Sequence, residues 1–256
     1  MKVGAITDYI DVAQIVLYVF WIFFFGLIVY LRREDKREGY PLDSDRANPR
    51  TPIQGFPRMP GPKTYRLPNG GEVTVPRAEP ARDLAARPYE PWPGAPLEPT
   101  GNPMADGVGP AAYAQRANEP DLTIDGHPRI VPMRVASEFA IESRDPDPRG
   151  MDVVGGDGSK AGTVHDVWVD RAEPQIRYLE VAVGESGRRA LVPIALARID
   201  GLRRRVQVRS ILGGQFATVP GLGNPDQVTR LEEDRISAYY AGGTLYAEPA
   251  RLGPVL

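Results

Sequence analysis

Three groups in this sequence have types and settings suited to moving protons. Asp125-Gly126-His127 places a carboxylate and an imidazole two residues apart in a loop bracketed by Pro120 and Pro128. Glu180 is a carboxylate in the middle of the largely apolar run Ile176 to Val183, IRYLEVAV. A proton relay needs groups that titrate near the working pH and lie within hydrogen-bond or one-water reach of one another. On residue type alone, Asp125 and His127 read first as an ordinary solvated turn. Glu180 is balanced between a wet strand face and a buried, functional one. If it is buried, Arg177 is the available counter-charge, provided strand twist brings it round. His165, beside Asp166, reads as a structural strand residue, and Asp166 and Asp170 read as strand-end hydrogen bonders flanking Trp168. Asp125 and His127 supply only two protein ligands, a weak basis for zinc, so no metal site is assigned.

The rest of the inventory narrows the chemistry. The chain has no cysteine and two histidines, which excludes disulfides, thiolate metal sites, cysteine nucleophiles and multi-histidine metal or haem sites built by this chain alone. There is no Gly-x-Ser-x-Gly, no phosphate-binding loop and no nucleophile with a base at usable spacing, so a hydrolase is disfavoured. A net charge of −2 gives no global basic field and does not suggest nucleic acid as a partner.

The element that must position everything else is Val12 to Leu31, VAQIVLYVFWIFFFGLIVYL, with no charged residue and Gln14 as its one strongly polar side chain. About 20 apolar residues make roughly 30 Å of helix, the thickness of a bilayer's hydrocarbon core. The preceding residues carry Asp8 and Asp11 against Lys2, and no small-x-small site follows the run, so a cleaved signal peptide fits poorly. Arg32-Arg33-Glu34-Asp35-Lys36-Arg37 holds four cations in six residues, which places the N-terminus outside the cytoplasm and the remaining chain inside. Arg32, Arg33, Lys36 and Arg37 are expected at anionic lipid headgroups such as cardiolipin, on a helix continuing to about residue 38, with Gly39 as a stop.

The chain thus divides into a periplasmic tail (1–11), a transmembrane helix (12–31), a proline-rich extended connector (39–150), a β domain with a C-terminal helix (151–243) and a tail (244–256). Of 27 prolines only six fall after residue 150 and none precedes Pro41, so the connector excludes long regular elements. Its interspersed apolar residues suit an ordered strand of chain laid over another protein surface, with a small hairpin over Lys63–Leu67, Asn69-Gly70-Gly71 and Glu72–Val75. From Met151, short alternating runs separated by turn signals predict strands at 151–154, 162–170, 176–183, 189–194 and 205–211, closing as a barrel or sandwich. Thr229-x-x-Glu232 predicts a capped helix burying Ile236, Tyr239 and Tyr240, with Gly242-Gly243 as its end.

The segment Arg32-Arg33-Glu34-Asp35-Lys36-Arg37-Glu38-Gly39-Tyr40-Pro41-Leu42 after an apolar span resembles the H-subunit family of purple-bacterial photosynthetic reaction centres. Further matches follow in the same order over nearly the whole chain. They are Pro62-Lys63-Thr64, Gly101-Asn102-Pro103-Met104, Asp106-Gly107-Val108-Gly109-Pro110-Ala111, Val131-Pro132-Met133, Asp166-Val167-Trp168-Val169-Asp170, Leu179-Glu180-Val181, Glu232-Glu233-Asp234 and Tyr240-Ala241-Gly242-Gly243. The resemblance implies one transmembrane helix with a periplasmic N-terminus in the bacterial inner membrane, and a cytoplasmic PRC-barrel domain. It implies a subunit with no bond chemistry of its own, capping the L and M subunits, shielding their quinone sites and carrying part of the proton path to the secondary quinone. Bacteriochlorophyll, bacteriopheophytin, quinones and non-haem iron would belong to L and M, and none to this chain alone. A cytochrome subunit and a light-harvesting ring are further partners it leaves open. In the family, the acid and histidine matching Asp125 and His127 lie where protons enter and where divalent metals inhibit. A second histidine follows there in some members, whereas this chain reads His127-Pro128-Arg129-Ile130, which puts inhibitory metal binding in doubt. The alternative from another class is a membrane-tethered PRC-barrel adaptor without a photochemical role.

Overall fold

The computed structural model describes residues 6, 10–40, 42, 54–68, 70–77, 83–92, 94–184 and 187–252. It divides into two units, Met1–Asp83 with Glu90–Pro96, and Leu84–Tyr89 with Leu97–Leu256.

In the first unit, helix α1 spans Val12–Asp35, 24 residues, and none of them is buried. Its start explains the polar residue in the apolar run. Asp11 accepts from the Gln14 backbone N–H at 2.8 Å, and the Gln14 side chain accepts from Asp11 N–H at 3.2 Å, a reciprocal cap on two otherwise orphaned donors. Phe20 stacks on Phe24 at 5.7 Å and Trp21 meets Phe24 edge-on at 6.0 Å. A water-soluble chain covers so large an apolar face, and among the described residues of this unit nothing does. The α-helix stops at Asp35 with Lys36 as cap, a turn short of the expected end near residue 38, and Gly39 takes a left-handed φ of 71°. The predicted hairpin forms: β1 (Lys63–Arg66) pairs antiparallel with β2 (Glu72–Val75), with Thr64 and Thr74 hydroxyls 2.7 Å apart across it. Asn69 of its loop lies outside the described residues.

In the second unit, β3 (Ala86–Pro88) pairs with β4 (Leu97–Pro99), and Asn102 caps the single turn α2 (Pro103–Asp106). The main sheet is curled and mainly antiparallel. Its strands are β5 (Ile130–Pro132), β6 (Asp152–Val154), β7 (Lys160–Asp170), β8 (Gln175–Val183), β9 (Arg188–Pro193), β10 (Ala197–Asp200) and β11 (Arg205–Val208). The order is β10-β11-β6-β7-β8-β9, with β5 added on β7 and only the β11–β6 pair parallel. The core gathers Val153, Val167, Trp168, Leu179, Val181 and Val206 from the sheet. It also takes Met104, Ile130, Val131, Met133 and Ala136 from the proline-rich stretch, whereas Phe56, Tyr65, Tyr89 and Trp92 of that stretch stay exposed.

Helix α3 (Arg230–Tyr246) begins at the predicted capping box: Thr229 N–H donates to Glu232 at 2.8 Å and Glu232 N–H to Thr229 Oγ1 at 3.2 Å. Ile236, Tyr239 and Tyr240 are buried, as their spacing requires. The expected stop at Gly242-Gly243 is corrected, because the helix runs through both. They serve close packing instead. A Cβ on Gly242 would lie 2.6 Å from Ala111 Cβ, and one on Gly243 2.5 Å from the Ser210 carbonyl oxygen.

A buried carboxylate pair and the groups around it

Glu180 on β8 stands directly opposite Asp166 on β7. Both are buried, at 4% and 5% exposure, so two like charges face each other away from water. That pairing is unfavourable unless a cation sits between them. Arg134 is that cation. Its Nη1 lies 2.6 Å from Glu180 Oε2 and 3.1 Å from Asp166 Oδ2, and its backbone N–H also donates to Asp166 at 3.2 Å. The strand register puts it there: β5 pairs antiparallel with β7 at Pro132↔Trp168, which carries the chain two residues on to Asp166. Arg134 is further held by Asp226 at 3.1 Å and by the Pro225 carbonyl. Burial works against its charge, and the hydrogen bonds to Glu180 and Asp166 outweigh that, so its pKa is raised. The cation at Glu180 is thus Arg134, not Arg177, which lines a separate cavity with Glu233 and Asp234.

The fully buried Trp168 donates its indole N–H to the same Glu180 Oε2 at 2.9 Å. Oε1 has Arg189 at 3.7 Å, an ion pair too long for a hydrogen bond, and keeps lone pairs available. Behind Asp166 a cavity of about 590 Å³ is lined by Arg134, Glu142, Asp145, Asp147, His165 and Asp166. His165 is exposed at the point where the β7–β8 register shifts, and it faces this cavity rather than packing into the core. Arg149, 2.6 Å from Asp147, holds that carboxyl below its usual range.

Asp125 and His127 lie elsewhere. Both are exposed, on a tight turn closed by Thr123 N–H to His127 O at 2.8 Å and by Gly126 at a φ of 80°. The turn is anchored by Arg129, which bonds the buried Asp170 at 2.8 Å and also reaches Glu173 at 3.1 Å and Asp121 at 3.5 Å. No hydrogen bond or ion pair joins Asp125 or His127 to Glu180 among the described residues. No group of three or more metal-ligating side chains occurs among them either. Asp170 is the strand-end hydrogen bonder expected, accepting from Ala172 and Glu173 N–H at 2.9 and 3.0 Å. A further buried acid lies on α3: Glu233 accepts from the Tyr178 hydroxyl at 2.8 Å, and burial pushes both pKa values up.

The four cations after the span divide. Arg32 and Arg33 are exposed. Lys36 is 1% exposed, its ammonium turned to the carbonyls of Gln54, Gly55 (3.3 Å) and Pro57 (2.6 Å). Arg37 pairs with Glu34 at 2.8 Å and donates to the Gly61 carbonyl at 2.7 Å. This geometry takes Lys36 and Arg37 out of the headgroup set and makes them clasps on the chain that follows. Sequence reasoning missed Arg134 and the role of Asp166. The one signal was Val131-Pro132-Met133, a short apolar run immediately before Arg134.

α1 is long and apolar enough to cross a membrane, alone in this among the described residues. Compared with known families, residues 140–215 match the PRC-barrel domain, which fits the curled sheet. Residues 4–135 match the N-terminal region of the photosynthetic reaction centre H-chain. Since this second match alone spans just over half of its length, the chain belongs to the family of photosynthetic reaction centre H chains.

Proposed function

We propose that this chain caps the L and M subunits of a light-driven quinone-reducing complex on the cytoplasmic side, shields their quinone sites and carries part of the proton route to the secondary quinone. α1 crosses the bacterial inner membrane with its N-terminus periplasmic, and Arg32 and Arg33 meet anionic headgroups. The pigments, quinones and iron belong to L and M, and this chain makes and breaks no covalent bonds.

The observation that carries the proton role is the Glu180–Arg134–Asp166 cluster, with a buried carboxylate at one end and a roomy polar cavity at the other. A cavity with several polar walls holds water. Protons entering it reach Asp166, and Arg134 lets the two acids share charge in a buried setting. Asp125 and His127, exposed on their anchored turn, act as surface collectors rather than as members of this cluster.

The test is flash-induced transfer of the second electron in the intact complex, across about pH 5 to 9. Glu180→Gln is isosteric and keeps an acceptor for Arg134 and Trp168. It should slow proton-coupled second-electron transfer while the complex still assembles and the first electron moves at its normal rate. Kinetics equal to wild type over the whole range would remove Glu180 from the route. The adaptor alternative is decided separately, by whether the chain co-purifies with pigment-binding subunits.

A further inference from the structure

At the β10–β11 edge of the sheet lies a cavity of about 480 Å³ whose walls include Arg198, Gln207, Arg209, Ser210, Thr244 and Arg251. The backbone assembles it. Arg198 and Gln207 are directly opposed across the β10–β11 pair, and Arg209 is two residues beyond Gln207, on the same face. Arg251, just after α3, is fixed from the other side. It donates to the Ser210 and Gly243 carbonyls at 2.8 Å each, which neutralises the negative end of α3 where it meets the cavity. Gly156 keeps room beside it, since a Cβ there would lie 2.8 Å from Arg251 Nη2.

Charge balance in this cavity is one-sided. Arg251 pairs with Glu248 at 2.9 Å, whereas Arg198 and Arg209 have no ion pair among the described residues. Both of these guanidiniums are exposed, so an anion entering the cavity reaches them directly.

Two uncompensated guanidiniums, with the Nη2 that Arg251 has left, offer more charge-assisted donors than a two-oxygen carboxylate can take up, and they match a tetrahedral group with three or four oxygens. We propose that this cavity binds a phosphate group, with Arg198 and Arg209 supplying the charge and Arg251, held in place by Glu248, adding its Nη2. The phosphate comes either from solution or from the headgroup of an anionic lipid.

The experiment uses the full-length chain in neutral detergent at constant ionic strength. Calorimetric titrations are run with inorganic phosphate and, separately, with short-chain phosphatidylglycerol. At least one probe should bind saturably, and the probe that binds identifies the source. The R198Q/R209Q double variant should weaken that binding by about tenfold or more. On the unaltered chain, the same two probes are added in turn before labelling with phenylglyoxal. One of them should protect Arg198 and Arg209, read by mass spectrometry, a result that does not depend on any variant folding. Absence of saturable binding by both probes, equal affinity in the double variant, or equal labelling with and without the probes would overturn the proposal.

Discussion

The decisive feature at the scale of single residues is which charges the sheet encloses. Arg129 reaches Asp170, whose side chain is 1% exposed, and the pair tethers the Asp125–His127 turn to the end of β7. Removing one partner leaves a buried charge uncompensated. Arg129→Ala should therefore cost about 3–5 kcal/mol in chemical denaturation, far more than removing an exposed pair such as Arg87–Glu98. The pH dependence has two opposed parts. Burial raises the Asp170 pKa, but Arg129 and the Glu173 and Ala172 amides outweigh it, and the net shift is downward. Its contribution is present at neutral pH and is lost as pH falls below the ordinary aspartate range, so Asp170→Asn should flatten the acid limb of the stability curve. Glu233 has the opposite sign. Burial raises its pKa, helped by Asp121 and Asp234 and resisted by Tyr178 and Arg177. Stability should fall as pH rises from the ordinary glutamate range through the raised folded value, and Glu233→Gln should abolish that fall. Glu180 was legible as a carboxylate in an apolar strand. Arg134 was not, because its partners lie 32 and 46 residues away and only the β5–β7 register brings them together.

Among the elements, the long strands were readable over nearly their whole length, β8 by its strict alternation and β7 by its valine-rich run between turn signals. The three-residue β3 and β4, and β5 and β10 of the main sheet, escaped notice. β5 is three residues long, and β10 is a four-residue strand, Ala197-Arg198-Ile199-Asp200, whose alternation is too short to stand out directly after a 3-10 turn. Gly242-Gly243 shows how one sequence signal serves two physical ends. A glycine pair after an apolar stripe looks like a helix stop, yet here it admits Ala111, the Ser210 backbone and the Ile211 side chain against α3. Gly242→Val should therefore destabilise the second unit by about 1–3 kcal/mol through overpacking, seen as a lowered melting temperature. If the pair were merely a helix end, the change would be near neutral. The capping boxes at Asp11 and Thr229 differ in the same respect. The latter was visible as Thr-x-x-Glu, whereas Gln14 was hidden inside an apolar run, where it looked like an isolated polar residue.

For the whole molecule, the central claim is that an uncovered apolar helix anchors a β-rich cap to partners this chain cannot replace. The span was the most legible feature of all, since nothing but lipid or other helices suits 24 helical residues of which none is buried. The partners were not legible from the residues. They enter through the family, because binding surfaces for other chains leave no periodic signal of their own. Extraction from photosynthetic membranes through a tag on this chain tests the claim most directly. The account predicts that mild detergent yields the chain together with two multi-span, pigment-binding subunits, and that a version lacking residues 1–35 no longer brings them down. Recovery of the intact chain as a pigment-free monomer in the aqueous fraction would contradict it.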